Sequence, residues 1–150
     1  MLRQLDYQTR VLKVFDDYLA ELAEWKTKAA KIEMHNAAQD DPEFRVPVPD
    51  FPAKAWAALQ AAGHLPSSRR TVPFSPRIDG AGRSIPNVIF KVPTGGGKTL
   101  LATFALSRLM GRYLDRNTGY VLWIVPNEAI YTQTKKQLSD RQHPYRQMLD

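Results

Sequence analysis

The chain contains no cysteine, and its three histidines, His35, His64 and His143, are scattered without ligand spacing. Disulfides and thiolate metal sites are thereby excluded, and a structural zinc has nothing to hold it. Long apolar runs are also missing. The longest are about the length of a buried strand, far short of the roughly 20 residues that cross a bilayer. The opening Met1-Leu2-Arg3-Gln4-Leu5-Asp6 lacks the apolar core of a signal peptide. These absences read as a cytoplasmic protein with no membrane partner. Acidic residues are scarce in one place: from Phe51 to Lys98 the sole acid is Asp79, against Lys54, Arg69, Arg70, Arg77, Arg83, Lys91 and Lys98. That stretch suits either a solvated arginine-bearing loop or one that touches phosphates. What remains is 150 residues with 43% hydrophobic and 24% charged content, the composition of one soluble globular domain. The formal charge of +6 adds a weak attraction to polyanions.

Apolar residues recur at helical spacing over residues 5–32, with Val11, Leu12, Phe15, Tyr18, Leu19, Leu22 and Trp25 on one stripe. This predicts a long amphipathic helix whose pattern thins beyond Trp25. Asp40-Asp41-Pro42 and then Pro47, Pro49 and Pro52 cannot continue it, so an extended connection follows. Pro52 suits the first turn of a short helix over 53–62, with Gly63 capping its end. Residues 65–86, which contain Asp79-Gly80-Ala81-Gly82, read as loop. The expected divisions are an N-terminal helical segment (1–40), a Pro/Arg-rich insertion with a short helix (41–86) and the start of an ATP-binding domain (87–150).

The last division carries the chemistry. Residues 88–92 are a short apolar, β-rich run ending in Pro93-Thr94-Gly95-Gly96-Gly97-Lys98-Thr99, and helical periodicity follows over 98–114. Residues 120–125 are apolar on both faces, as a central parallel strand must be, and Asn127 can cap a helix over 128–139. This β-α-β-α order predicts an α/β fold: a P-loop NTPase (RecA-like) parallel sheet, incomplete, preceded by a long N-terminal helix and a Pro-rich insertion. A loop can surround phosphate oxygens with backbone N–H donors only if it turns tightly and no Cβ blocks the approach. Gly95, Gly96 and Gly97 meet that need beside Thr94, and the following helix aims its N-terminal dipole at the same anion. Lys98 is placed to reach the β- and γ-phosphates of ATP as the catalytic cation, and the Thr99 hydroxyl to hold Mg²⁺.

Val92-Pro93-Thr94-Gly95-Gly96-Gly97-Lys98-Thr99 resembles motif I of superfamily 2 helicases, in which the first P-loop glycine is replaced as it is here by Val92. With Leu5-Asp6-Tyr7-Gln8 and Leu122-Trp123-Ile124-Val125-Pro126-Asn127-Glu128-Ala129-Ile130, the chain is similar to the Res subunit of type III restriction enzymes and related DEAD/DEAH-type proteins. The resemblance implies that Gln8 reads adenine and that Pro126 and Asn127, in motif Ia, touch a nucleic-acid backbone. It further implies an ATP-dependent translocase or helicase acting on double-stranded DNA, beside a methyltransferase (Mod) subunit and with possible endonuclease activity in the whole enzyme. The family's Asp-Glu box is not found, since the acids after the P-loop are Asp115, Glu128, Asp140 and Asp150 and none directly ends an apolar strand. The expectation is therefore a truncated chain that binds ATP without efficient hydrolysis. Two other readings stay open: another P-loop enzyme of kinase or GTPase type, and a non-catalytic nucleotide-binding module.

Overall fold

A computed structural model describes residues 4–150, so the first three positions of the expected N-terminal segment lie outside the described residues. The chain divides into two compact units, Met1–Phe15 with Phe90–Asp150, and Asp16–Ile89. Helix α1, Asp6–Ala37, begins in the first and continues in the second. It runs past the expected 5–32 through Glu33, Met34, His35, Asn36 and Ala37, where glutamate, methionine and alanine are good helix formers without an apolar stripe. The stripe is buried as expected at Leu12, Phe15, Tyr18, Leu19 and Leu22.

In the second unit, the Asn36 amide near the end of α1 holds the proline-rich connection reciprocally. Its Nδ2 donates to Val46 O at 2.7 Å and its Oδ1 accepts Val46 N–H at 2.8 Å. Helix α2, Phe51–Ala61, starts two residues earlier than the expected 53–62 because Asp50 caps it, accepting from Ala53 N–H. Pro52 sits in its first turn, where a missing N–H costs nothing. Beyond the helix, Gly63 adopts a left-handed φ of 72° and His64 reaches Asp17 of α1 at 3.2 Å. Gln60 Nε2 and Trp56 Nε1 both donate to Val72 O, fastening the start of the basic loop to α2.

In the first unit, α3 (Lys98–Arg108) follows the glycine loop and widens into a π-helical turn, Leu109–Leu114. The expected single helix over 98–114 is thus two geometries. It stops where Asp115 takes a left-handed conformation, φ 48°, and donates its N–H to Met110 O. Helix α4, Glu128–Ser139, follows Asn127, and a short α5, Pro144–Gln147, closes the chain. Phe15 and Phe90 meet edge to face, with ring centroids 5.3 Å apart.

The expected parallel sheet is absent, which corrects the α/β P-loop assignment. Among the described residues no strand forms, and the β-type pairing present is one isolated antiparallel bridge between Ile78 and Ser84. Residues 88–92 and 120–125 are irregular, and Ile89, Tyr120, Leu122 and Ile124 are 89%, 94%, 73% and 82% exposed. An apolar, β-branched run records a tendency to be buried in a pleated layer but supplies no neighbour. A strand exists only when another strand accepts its N–H and C=O groups, and two runs fall below the three or so that make a sheet stable. No helix among the described residues is long and apolar enough to cross a membrane.

Candidate functional site

The glycine loop is shaped by its own backbone. Gly95 and Gly97 have φ of 76° and 71°, a region that other residues enter at a cost. Gly96 N–H donates to Pro93 O at 3.1 Å, closing the turn. Gly97 is the N-cap of α3, and no side chain caps the first turn. The leading N–H groups of an 11-residue helix are therefore open to an anion, with the positive end of its dipole behind them.

Helix α1 supports this loop from the other end of the chain. The Gly96 carbonyl accepts from the Tyr7 hydroxyl and, at 3.0 Å, from Gln8 Nε2. Gln8 is 1% exposed, and its Oε1 accepts Leu5 N–H at 2.9 Å. Both ends of the amide are thus used inside the protein, one on the start of α1 and one on the loop. Reading adenine requires that this amide exchange those partners. Tyr7 is a site residue that the sequence did not single out for a role; its signal was its place next to Gln8 on the first turn of the helix. Gln8 itself falls on the buried stripe, spaced from Leu12, Phe15 and Leu19 as a core position is. A polar residue on a core stripe needs a partner.

Lys98 is exposed, and its Nζ donates to Pro93 O at 3.1 Å. The ammonium and the Gly96 N–H thus share one carbonyl at the mouth of the loop. A phosphate oxygen, being charged, is the stronger acceptor for both. The lysine needs to swing only from a solvent-facing contact to reach it. Thr94 and Gly95 are exposed and Thr99 is half-exposed in the first turn of α3. The backbone of Thr99 is fixed from below, its carbonyl accepting the hydroxyl of fully buried Thr103 at 2.9 Å. Among the described residues no group of three or more His, Asp or Glu is placed to hold a metal ion. A magnesium ion at Thr99 therefore depends on oxygens brought by a nucleotide, the usual arrangement for this small, strongly hydrated cation.

Pro126 and Asn127 are exposed ahead of α4. Asn127 Oδ1 accepts Ile130 N–H at 3.0 Å, and its own carbonyl accepts Tyr131 N–H. Its side chain is thus a helix cap. The loop residues and Gln8 are brought together; Asn127 has its contacts within α4.

The family model described as "Type III restriction enzyme, res subunit" matches residues 54–149. The matched span takes in the glycine loop and Asn127 and leaves out Tyr7 and Gln8. No curated protein and no solved structure matches the chain.

Proposed function

Because the chain belongs to the family of type III restriction enzyme res subunits, whose members are helicase-like and ATP-dependent, we propose that it is the nucleotide-binding part of a motor that moves along double-stranded DNA. One observation carries the reading: a glycine loop of left-handed turns leads into an uncapped helix with Lys98 at its mouth. In this reading, Gly95, Gly96 and Gly97 cradle the phosphates of ATP beside Thr94. Lys98 neutralises the β- and γ-phosphate oxygens, and Thr99 is the chain's ligand to Mg²⁺. When bound, ATP would supply the phosphoryl group and its hydrolysis energy and Mg²⁺ would neutralise the phosphate charge, chemistry that proteins catalyse by positioning and electrostatics. Gln8 and Tyr7 hold the loop to α1, so that a change in the loop is felt at the helix; the adenine contact of Gln8 belongs to the nucleotide-bound state. Pro126 and Asn127 lie where the first turn of α4 offers N–H groups to a phosphodiester. The whole enzyme, in this reading, works in the cytoplasm with a methyltransferase subunit.

The direct test is equilibrium binding of a fluorescent ATP analogue with and without Mg²⁺. Lys98→Ala removes a charge-assisted contact and is expected to weaken binding at least tenfold, equivalent to about 1.4 kcal/mol. Circular dichroism should be unchanged, since Lys98 is exposed. Equal binding by Lys98→Ala and the parent chain would overturn the assignment.

A further inference from the structure

Residues 75–87, between α2 and the glycine loop, have no task in nucleotide binding, yet they are ordered by a consistent set of contacts. Asn87 Nδ2 donates to Ser75 O at 3.3 Å. Ile85 N–H donates to Arg77 O at 2.9 Å, and Asp79 N–H to Arg83 O at 2.9 Å. Ile78 faces Ser84 as an antiparallel bridge. The backbone pairs and the bridge are centred on Ala81, so residues 77–85 form one short antiparallel hairpin ribbon with a single bridge, and Asn87 ties its base to Ser75 through a side-chain bond. Asp79 fixes the tip. Its Oδ1 accepts the N–H groups of Ala81 and Arg83 at 2.9 Å, and its Oδ2 accepts Arg83 Nε at 2.8 Å and pairs with Arg83 Nη2 at 2.8 Å. Gly82 supplies the left-handed turn, with φ 76°.

This wiring changes the charge of the segment. Asp79 is the one acid between Phe51 and Lys98, and its carboxylate is neutralised within the ribbon. Hydrogen bonds from the Arg83 backbone, then from its side chain, hold that carboxyl below the usual carboxylate range. Arg69, Arg70 and Arg77 are exposed, and Arg77 lies within the ribbon. In the ribbon register Arg77 and Arg83 are diagonal neighbours on one face, and Ile78, 66% exposed, lies on the other. Arg77 is held by local contacts alone, its Nη1 donating to Ser75 Oγ and Pro76 O at 3.0 Å. An exposed arginine with no carboxylate partner on this hairpin presents a point for a polyanion.

We propose that the ribbon of residues 77–85 is a contact for duplex DNA, with Arg77 on the phosphate backbone. The choice of duplex DNA rests on the motor reading; the ribbon's charge and shape do not. Its contact is to the backbone, so it positions the chain without reading sequence.

The test is fluorescence anisotropy of a short labelled duplex of random sequence, titrated with the full chain over a range of salt, with ATP-analogue binding measured on the same samples. Arg77→Ala is expected to weaken duplex binding about three- to tenfold and to reduce the slope of log K against log salt by about 0.9. Arg77→Glu should weaken it further, and Arg77→Lys should keep the slope. ATP-analogue binding should be the same in all of them. Unchanged affinity and slope in Arg77→Glu would overturn the proposal and leave the motor reading standing. A parent chain that binds the nucleotide and ignores the duplex would overturn it as well, in favour of a protein partner. If Lys98→Ala retains nucleotide binding while Arg77→Ala loses one unit of salt slope, the motor reading fails and the ribbon survives.

Discussion

At Gly96 a methyl group has nowhere to go. A Cβ there meets the Tyr7 hydroxyl at 2.6 Å, Val92 Cγ1 at 2.8 Å and Pro93 O at 3.0 Å. At Gly95 a Cβ meets nothing within 4 Å, and the obstacle is the φ of 76° alone. The two glycines are therefore required for different reasons, and their alanine variants should differ. Gly96→Ala is expected to destabilise the chain by about 1–3 kcal/mol through overpacking, and Gly95→Ala by about 1–2 kcal/mol through backbone strain. Tyr7→Phe removes one of the three atoms in the way at Gly96, so adding it to Gly96→Ala should recover part of the loss and should do nothing for Gly95→Ala. Urea midpoints of the three single variants and the two double variants decide this. Strict additivity of Tyr7→Phe with Gly96→Ala would show that the hydroxyl is not the obstacle. The glycines themselves were legible in the sequence, because three in a row before Lys-Thr have few other uses. The partner of Gly96 was not, since a contact between positions 8 and 96 is decided by tertiary folding.

Elements with local punctuation were read closely from the sequence. Asp50 and Pro52 start α2, and Asn127 starts α4, by contacts that lie within a turn of each residue. The π-helical turn after α3 was not legible, since its residues keep ordinary helical apolar spacing while the backbone ring widens. Asn127 also lets the cap be separated from a nucleic-acid role. Aspartate caps a helix as well as asparagine does, and alanine loses about 1 kcal/mol. Asn127→Ala should therefore lower the urea midpoint and Asn127→Asp should not. If Asn127 also faces a phosphodiester, Asn127→Asp adds a repelling charge and weakens duplex binding several-fold with stability intact. Duplex affinity unaltered by Asn127→Asp would reduce the residue to a cap.

For the whole molecule, the main correction is the missing sheet. The period and composition of residues 88–92 and 120–125 match buried strands, yet pairing is a property of two segments at once, and the sequence pattern of one cannot name the other. The consequence is a set of nearly bare apolar side chains, with Tyr120, Leu122 and Ile124 alternating along one stretch. Unpaired backbone polar groups beside exposed β-branched and aromatic residues form a template for another chain. The net charge of +6 opposes such contact at low salt and is screened beyond about 10 Å at 0.1 M salt. The chain is therefore expected to self-associate as salt and concentration rise, visible as a growing weight-average mass in sedimentation velocity. Leu122→Lys with Ile124→Lys places charge on that edge without touching a buried residue, so stability should hold within about 0.5 kcal/mol while association falls. Equal association of the double-lysine variant would move the sticky surface elsewhere, and a parent chain that stays monomeric at high salt would mean that these side chains are not a docking edge at all.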